Sequence, residues 1–192
     1  MANSCKFNAC FLLLTLVASS IFTNPAFCDE ATQALIDKIC RQMEQYGFCN
    51  DTFNRNLKGS TADIAALTRI AIDQTLSASK DTHDFVVGLL DKTTDLAEKN
   101  ALTVCENAYS VVTDCFNQAS AAFGQKDYDS MLKVEHQAPR AQASCTTIFN
   151  TPPNPPNPVG QRNIHARILI AMSIVSGTML SSPTLWSISL QD

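Results

Sequence analysis

The spacing of the cysteines constrains this chain more than any other feature. Five of them follow residue 28, at Cys40, Cys49, Cys105, Cys115 and Cys145. In one straight helix Cys40 and Cys49 would lie about 13 Å apart, whereas the Cα atoms of a disulfide lie within about 7 Å. A bridge between them therefore requires a reversal of the chain, and Gly47 is the helix-breaking residue that we expect to supply it.

The three later cysteines fall in helix-forming sequence. Cys105 and Cys115 share one continuous helical pattern and would lie about 15 Å apart, so they cannot bridge each other. On this argument Cys145 can pair with either of them or with neither. One thiol remains over if an exported chain begins after Cys28. If the N-terminal segment is instead removed after Ser20, the mature chain keeps Cys28, which could bridge Cys115.

Residues 1–28 are typical of a secretory signal peptide. Lys6 precedes a short apolar run, and small residues follow that run. The run is far shorter than the roughly 20 residues that a bilayer-spanning helix needs. We therefore expect a secreted protein with one domain over residues 29–180 and a flexible tail over residues 181–192. In an oxidising compartment its cysteines are expected to form disulfides.

Composition excludes several classes of protein. The formal charge is −4 for the whole chain, and removing residues 1–28 takes away one lysine and no acid. Such an acidic surface does not predict binding to nucleic acid. The sequence has no Cys-x-x-Cys pair and no His-Glu-x-x-His motif, so we expect no metal and no cofactor. The apolar stretch Ile168–Leu180 is thirteen residues long and too short to cross a bilayer, so we expect a core helix and no membrane anchor.

Apolar residues recur at steps of three, four and seven, which predicts helices, and no segment alternates as a strand would. The first predicted helix covers residues 31–45, and the second is about thirty residues long and begins after Gly59. The remaining helices cover residues 95–123 with Gly124 as the stop, residues 126–150 and residues 163–180. We expect Pro139 to kink or divide the fourth of these, and residues 152–158 to form an extended polyproline connector. The resulting fold class is all-α: an antiparallel four-helix bundle preceded by a helical hairpin.

No catalytic constellation accompanies this fold, so we do not expect an enzyme. Glu135 and His136 are adjacent in a helix, where side chains point apart, so the pair is interpreted as solvated surface. Cys115 lies on an apolar stripe with Val111 and is interpreted as an inert core thiol. Asn50 begins an Asn-Asp-Thr sequon and is a candidate for N-glycosylation.

Three segments resemble a known family. Residues 34–40 (ALIDKIC) and 46–49 (YGFC) resemble an "IC…TxYPxFC" hairpin, with Gly47 where proline is usual. Residues 101–109 (ALTVCENAY) resemble "ALxDCxExY", and residues 145–149 (CTTIF) resemble "CxDxF". Together they are similar to the plant invertase and pectin methylesterase inhibitor family over roughly residues 33–180. The resemblance implies the disulfides Cys40–Cys49 and Cys105–Cys145.

The resemblance also implies a function. Members of this family are secreted bundles that block acid invertase or pectin methylesterase by covering the active-site cleft. The implied partner is thus a protein target in the cell wall or apoplast, or alternatively in the vacuole. Residues 123–128 (FGQKDY) also resemble the "FxxKDY" of a pollen-allergen branch of the family. A second hypothesis is a structural or allergen-like interaction protein on the same scaffold, motivated by Asp127 and by the proline in the predicted third bundle helix.

The candidate target-binding residues are Lys126, Asp127 and Tyr128. They stand where invertase inhibitors often carry Pro-Lys-Phe, whose lysine can meet carboxylates of the enzyme. Asp127 puts an acid where that lysine is expected. If Asp127 faced a carboxylate pair of the enzyme, the repulsion would weaken binding by several tenths to a few kcal/mol, about the energy that surface charges in contact produce. The resemblance therefore leaves the choice of target enzyme open.

Overall fold

The computed structural model describes residues 28–182, so most of the predicted signal peptide and of the predicted tail lies outside the described residues. Within this range the chain forms seven helices and no strand: α1 (Glu30–Cys40), α2 (Tyr46–Asn56), α3 (Ile64–Leu90), α4 (Leu96–Gly124), α5 (Tyr128–Glu135), α6 (Ala138–Phe149) and α7 (Gly160–Ser181). The predicted all-α class is confirmed.

Four members make up the bundle, and α5 and α6 together count as one of them. Helix α3 packs on α4 and on α7, α4 packs on α5 and α6, and α7 closes the square by packing on α5 and α6. Short connections join successive members, so neighbours run antiparallel. This is the predicted four-helix bundle, and its interior holds the largest buried side chains, among them Tyr109, Phe116 and Met131.

The N-terminal hairpin reverses earlier than the sequence predicted. Helix α1 ends at Cys40 rather than at residue 45, and the chain turns over residues 41–45. Gly47 lies in the first turn of α2 and has no positive φ, so the prediction that it provides the reversal was wrong. The disulfide requires only that the chain reverse somewhere between Cys40 and Cys49. Packing of α1 against α2 places the turn directly after Cys40 and leaves Gly47 inside α2.

The hairpin packs back onto the bundle. Ile36, Ile39 and Phe53 from the hairpin share one apolar cluster with residues of α3 and α7. The Phe48 ring stacks on His165 of α7, with centroids 4.3 Å apart. At the turn, Arg167 donates to both carboxylate oxygens of Glu44, with the shortest N···O distance 2.7 Å.

The third bundle member is divided, as predicted for the segment that carries Pro139. The break falls at residues 136–137, just before α6, and Pro139 occupies the first turn of α6. Proline is tolerated there because the first amides of a helix have no partner within the helix. His136 keeps a right-handed helical conformation, so the break is a kink between nearly continuous helices.

Four helices begin with an aspartate cap, a feature that the periodicity argument left out. The carboxylates of Asp29, Asp63, Asp95 and Asp127 each accept a hydrogen bond from the backbone amide three residues later. Such caps satisfy amides left unpaired at a helix start. They fix where α1, α3, α4 and α5 begin.

Other predicted boundaries and faces need correction. Val111 is 46% exposed, because the buried face of α4 is turned toward Cys105, Tyr109 and Phe116. The connector is not extended throughout, since the amide of Asn154 donates to the Thr151 carbonyl at 2.9 Å and closes a turn. Helix α7 starts at residue 160 rather than 163.

With 22 residues, α7 is longer than its apolar run predicted. By length and composition it could cross a membrane, but half of its most apolar window is buried inside the protein. It packs on α3 along one side and on α5 and α6 along another. This packing is that of a core helix of the bundle.

Candidate target-binding surface

The three candidate residues lie together where α4 passes into α5. Lys126 has a left-handed backbone with φ of 59°. Its amide donates to the Phe123 carbonyl, and the amide of Asp127 donates to the Ala122 carbonyl, both at 3.0 Å. This is the Schellman ending of a helix, with Lys126 in the position that usually holds glycine. The predicted stop at Gly124 was therefore two residues too early.

Asp127 is exposed and caps α5. Its carboxylate accepts a hydrogen bond from the Ser130 amide at 3.1 Å. Hydrogen bonds from the Ser130 side chain and backbone hold the pKa of Asp127 below its usual range. The carboxylate is therefore ionised at mildly acidic pH and presents a negative charge beside the positive charge of Lys126.

Tyr128 is half-buried, and its ring lies against Phe123 with centroids 6.0 Å apart. Phe123 is in turn covered by the guanidinium of Arg69, 5.9 Å from the ring centroid. Arg69 is held by Asp73 and by a hydrogen bond to the Ser120 hydroxyl at 3.1 Å. The junction thus offers two exposed charges, Lys126 and Asp127, on a backbone that both helix ends fix.

Two disulfides hold this scaffold. Cys40–Cys49 joins α1 to α2 with a Cα–Cα distance of 5.5 Å, and Cys105–Cys145 joins α4 to α6 at 4.5 Å. Both pairings are those that the family resemblance implied. Closing the forty-residue loop of the second bridge stabilises the fold by about 4 kcal/mol in the chain-entropy model. The junction of α4 and α5 therefore sits on a covalently braced bundle.

A buried polar network surrounds the second disulfide, and sequence reasoning missed it. The Tyr109 hydroxyl donates to Asn163 Oδ1 at 2.6 Å. Asn163 Nδ2 contacts Cys145 Sγ at 3.3 Å, and Gln142 Nε2 donates to the Asn163 carbonyl at 3.2 Å. Burial raises the pKa of Tyr109 well above its ordinary value, so its hydroxyl remains a donor. The signal available was a single asparagine within the apolar pattern of α7.

The burial of Glu135 also differs from the sequence-based prediction. The expectation of a solvated Glu135–His136 pair holds for His136, which is exposed, but Glu135 is fully buried between α5 and α7. Its Oε1 accepts a hydrogen bond from the Ser173 hydroxyl at 2.7 Å. Adjacent helical side chains do point apart, and here one of the two points into the core.

Within residues 28–182 two cysteines are free, and they lie in separate places. Cys115 is buried beside Phe116 and Ile170, as predicted, and burial raises the pKa of its thiol. Cys28 is half-buried and packs against a different apolar cluster. The alternative Cys28–Cys115 bridge is therefore not formed.

Asn50 lies within α2, half-buried against α1. Its side-chain oxygen accepts hydrogen bonds from Gln33 at 2.9 Å and from Asn54 at 3.2 Å. The amide nitrogen that would carry a glycan takes no part in these bonds. N-glycosylation at Asn50 stays a prediction.

The charged and thiol side chains do not form a metal site in the described part of the chain. Among residues 28–182 no group of three or more His, Cys, Asp or Glu side chains is arranged to hold a metal ion. What these residues do provide is a rigid helical surface with a charged corner. Such a surface is suited to binding another macromolecule.

The fold and site together describe a disulfide-braced, all-helical binding protein. Residues 34–177 match the model of the "Plant invertase/pectin methylesterase inhibitor" family, and the chain belongs to that family. Because the match covers most of the described helices, the family assignment applies to the bundle and to the hairpin.

Two curated relatives share 24% identity with this chain. One is a "Pectinesterase inhibitor" of Actinidia deliciosa, aligned over 88% of this chain and 90% of its own length. The other is "Cell wall / vacuolar inhibitor of fructosidase 2" of Arabidopsis thaliana, aligned over 93% and 97%. The two relatives are named for different target enzymes and share the same percentage identity with this chain.

Solved structures show the same fold. A mutant form of a pectin methylesterase inhibitor from Arabidopsis aligns with a TM-score of 0.67 at 17% identity, covering 75% of this chain and 95% of its own. A second pectin methylesterase inhibitor structure, from Arabidopsis thaliana, aligns with a TM-score of 0.59 at 18% identity, covering 77% and 96%.

Proposed function

We propose that this protein is a secreted inhibitor that binds pectin methylesterase or acid invertase and blocks the active site without doing chemistry itself. The observation that carries the proposal is the family match over residues 34–177. The exposed corner at Lys126 and Asp127, fixed by the α4 ending and the α5 cap, is the surface proposed to meet the enzyme.

Of the two targets, pectin methylesterase is the one that the charge at the corner favours. Asp127 is ionised and exposed, and it would repel a carboxylate pair of the kind that the lysine of an invertase inhibitor can meet. Percentage identity does not favour either enzyme, because it is 24% for both curated relatives. The preference for pectin methylesterase therefore depends on Asp127 alone.

The site of action that we propose is the cell wall, with the vacuole as the alternative. Two disulfides and a predicted signal peptide support passage through the oxidising secretory route. Extracellular action would place the protein beside either candidate enzyme. Peptide mapping of the protein purified from its tissue would identify the mature N-terminus and test the signal cleavage.

An assay against both enzymes in parallel tests the proposal. The purified chain is titrated at mildly acidic pH into a pectin methylesterase and into an acid invertase. We expect a fall in pectin methylesterase activity that reaches completion near one inhibitor per enzyme. The helical circular dichroism spectrum of the same sample shows that the protein is folded. A folded protein that inhibits neither enzyme at micromolar concentration would refute the proposal.

Asp127 also motivates the second candidate, a non-inhibitory interaction protein on the same scaffold. Here the altered corner would have lost its enzyme target and bind another component of the wall. A pull-down from cell-wall extract separates the two candidates. Recovery of an esterase or a glycosidase supports the inhibitor, and recovery of neither, together with a negative inhibition assay, supports the second candidate.

A further inference from the structure

A buried carboxylic acid lies at the contact between α5 and α7. Glu135, the last residue of α5, is fully buried, and Ser173 of α7 donates to its Oε1 at 2.7 Å. The second oxygen, Oε2, has no hydrogen-bond partner among the described residues. A buried oxygen in this state is costly as part of a charged carboxylate and far less costly as part of a neutral acid.

The two helices approach closely at this point. A Cβ on Gly177 would lie 2.7 Å from Met131 Cε and 3.6 Å from Glu135 Oε2. The absence of a side chain at Gly177 therefore lets α7 pack directly against α5. Immediately after Glu135 the chain leaves α5 and kinks at residues 136–137. The carboxyl group thus sits where a short helix is held at one end by a tight contact and at the other by the Asp127 cap.

Glu135 forms no ion pair with any of residues 28–182. Helix α5 packs on α4, α6 and α7, and none of their charged groups forms an ion pair with it among the described residues. The exposed charged or titratable groups of these four helices and of the kink after α5 are Lys99, Asp114, Asp129, Lys133, His136, Arg140, Arg162 and Arg167. The half-buried ones are Glu98, Glu106 and His165. The remaining titratable groups of these helices are the tyrosines and Cys115.

We propose that Glu135 makes α5 a pH-sensitive clasp, seated against α7 while the carboxyl is protonated and loosened when it ionises. The contact at Gly177 and the kink after Glu135 confine the change to α5 and its flanking turns. Because α5 begins at Asp127, loosening would also free the corner formed by Lys126 and Asp127. The proposal concerns the fold alone, so it stands whether or not the chain inhibits an enzyme.

The expected direction follows from burial. Removal from water raises the pKa of Glu135 to about 7, against a smaller opposing effect of the Ser173 hydrogen bond. At pH values between the ordinary carboxyl pKa and about 7, the seated state therefore binds more protons than the loosened state. The seated state is most favoured at pH values below that ordinary pKa. Its stability relative to the loosened state is lost as the pH rises through about 7. Between pH 5 and pH 8 the ratio of seated to loosened protein should fall by roughly fifty- to a hundredfold.

Hydrogen exchange measured by mass spectrometry on peptides covering residues 128–135 tests this. Protection factors, corrected for the intrinsic pH dependence of exchange, are compared at pH 5 and pH 8. We expect a large loss of protection at pH 8 in the wild type and no such loss in Glu135→Gln, which keeps the shape but cannot ionise. Glu106→Gln, a change to a half-buried glutamate of α4, is the matched control and should respond as the wild type does.

Equal protection at both pH values in the wild type, or an undiminished loss in Glu135→Gln, would overturn the proposal. A second measurement does not depend on the variant's folding. Infrared difference spectra of the wild type across pH 5 to 8 should show a protonated carboxyl band that titrates near pH 7. If every carboxyl band titrates below pH 5.5, the proposal is wrong.

Discussion

Tyr109 and Asn163 meet across the bundle interior, with the Tyr109 hydroxyl donating to Asn163 Oδ1 at 2.6 Å. The bond joins α4 to α7, which lie diagonally opposite in the bundle. Asn163 also contacts Cys145, so the polar pair and the Cys105–Cys145 disulfide form one crosslinked centre. This centre fixes the relative position of three bundle members.

The hydrogen bond makes a stability prediction. Tyr109→Phe leaves the Asn163 side-chain oxygen buried without this donor, so we expect a loss of about 1–3 kcal/mol in the free energy of unfolding. Urea denaturation followed by circular dichroism measures it. The matched control is Tyr46→Phe, which removes the bond to Asp37 at an exposed site where water can substitute, and should change stability much less. Equal losses in the two variants would contradict the assigned role of Asn163.

Two glycines within helices should respond oppositely to alanine. At Gly88 in α3 an added Cβ would have no neighbouring atom within 4 Å, so Gly88→Ala should stabilise by about 0.5–1 kcal/mol through helix propensity. Gly177→Ala places a methyl group against Met131 and Leu132 in the core, and should instead destabilise by roughly 1 kcal/mol. Denaturation midpoints of the two variants give the comparison. Stabilisation by both would contradict the prediction that the contact between α5 and α7 requires a glycine at position 177.

A substitution at the C-terminal end of α4 should stabilise the protein. Lys126 occupies a left-handed conformation that costs an L-residue about 1 kcal/mol, so Lys126→Gly should raise the free energy of unfolding by roughly 0.5–1 kcal/mol. Lys126→Ala removes the same charge but keeps a Cβ, and should not stabilise. If both variants gain equally, charge rather than backbone conformation is the cause.

Thiol reactivity should distinguish Cys28 from Cys115, the free cysteines of the part of the chain that the structure describes. Cys115 is buried and its pKa is raised, so alkylation by iodoacetamide under native conditions should be slow. Cys28 is half-buried and should react faster wherever the mature chain retains it. Mass spectrometry of alkylated peptides reads both sites, with a denatured sample as the control. Rapid native labelling of Cys115 would contradict its place in the core.

Periodicity and cysteine geometry predict much of this fold. The helix repeats give the class and the number of bundle members, and Pro139 marks the member that is divided. The disulfide limit requires a reversal between Cys40 and Cys49, but it does not say where in that interval the chain turns. Gly47 was preferred on propensity alone. Packing of α1 and α2 against each other placed the turn before it.

The interior polar groups are harder to predict. Glu135 has the same local pattern as an exposed glutamate, and its burial depends on which face of α5 meets α7. The helix-ending lysine shows the same limit. Lys126 adopts the left-handed position because the Asp127 cap and the last carbonyls of α4 are satisfied together. The burial of Glu135 and the backbone conformation of Lys126 both depend on contacts between helices, and a single sequence does not show those contacts.

The most direct test of the proposed inhibitory surface compares the wild type with Lys126→Glu in the pectin methylesterase titration. Reversing the charge at the corner should weaken inhibition by about tenfold or more. The control, Lys99→Glu, lies near the start of α4, about 40 Å away along the helix, and should inhibit as the wild type does. Equal inhibition by the wild type and both variants would contradict the assignment of the α4–α5 corner as the surface that meets the enzyme.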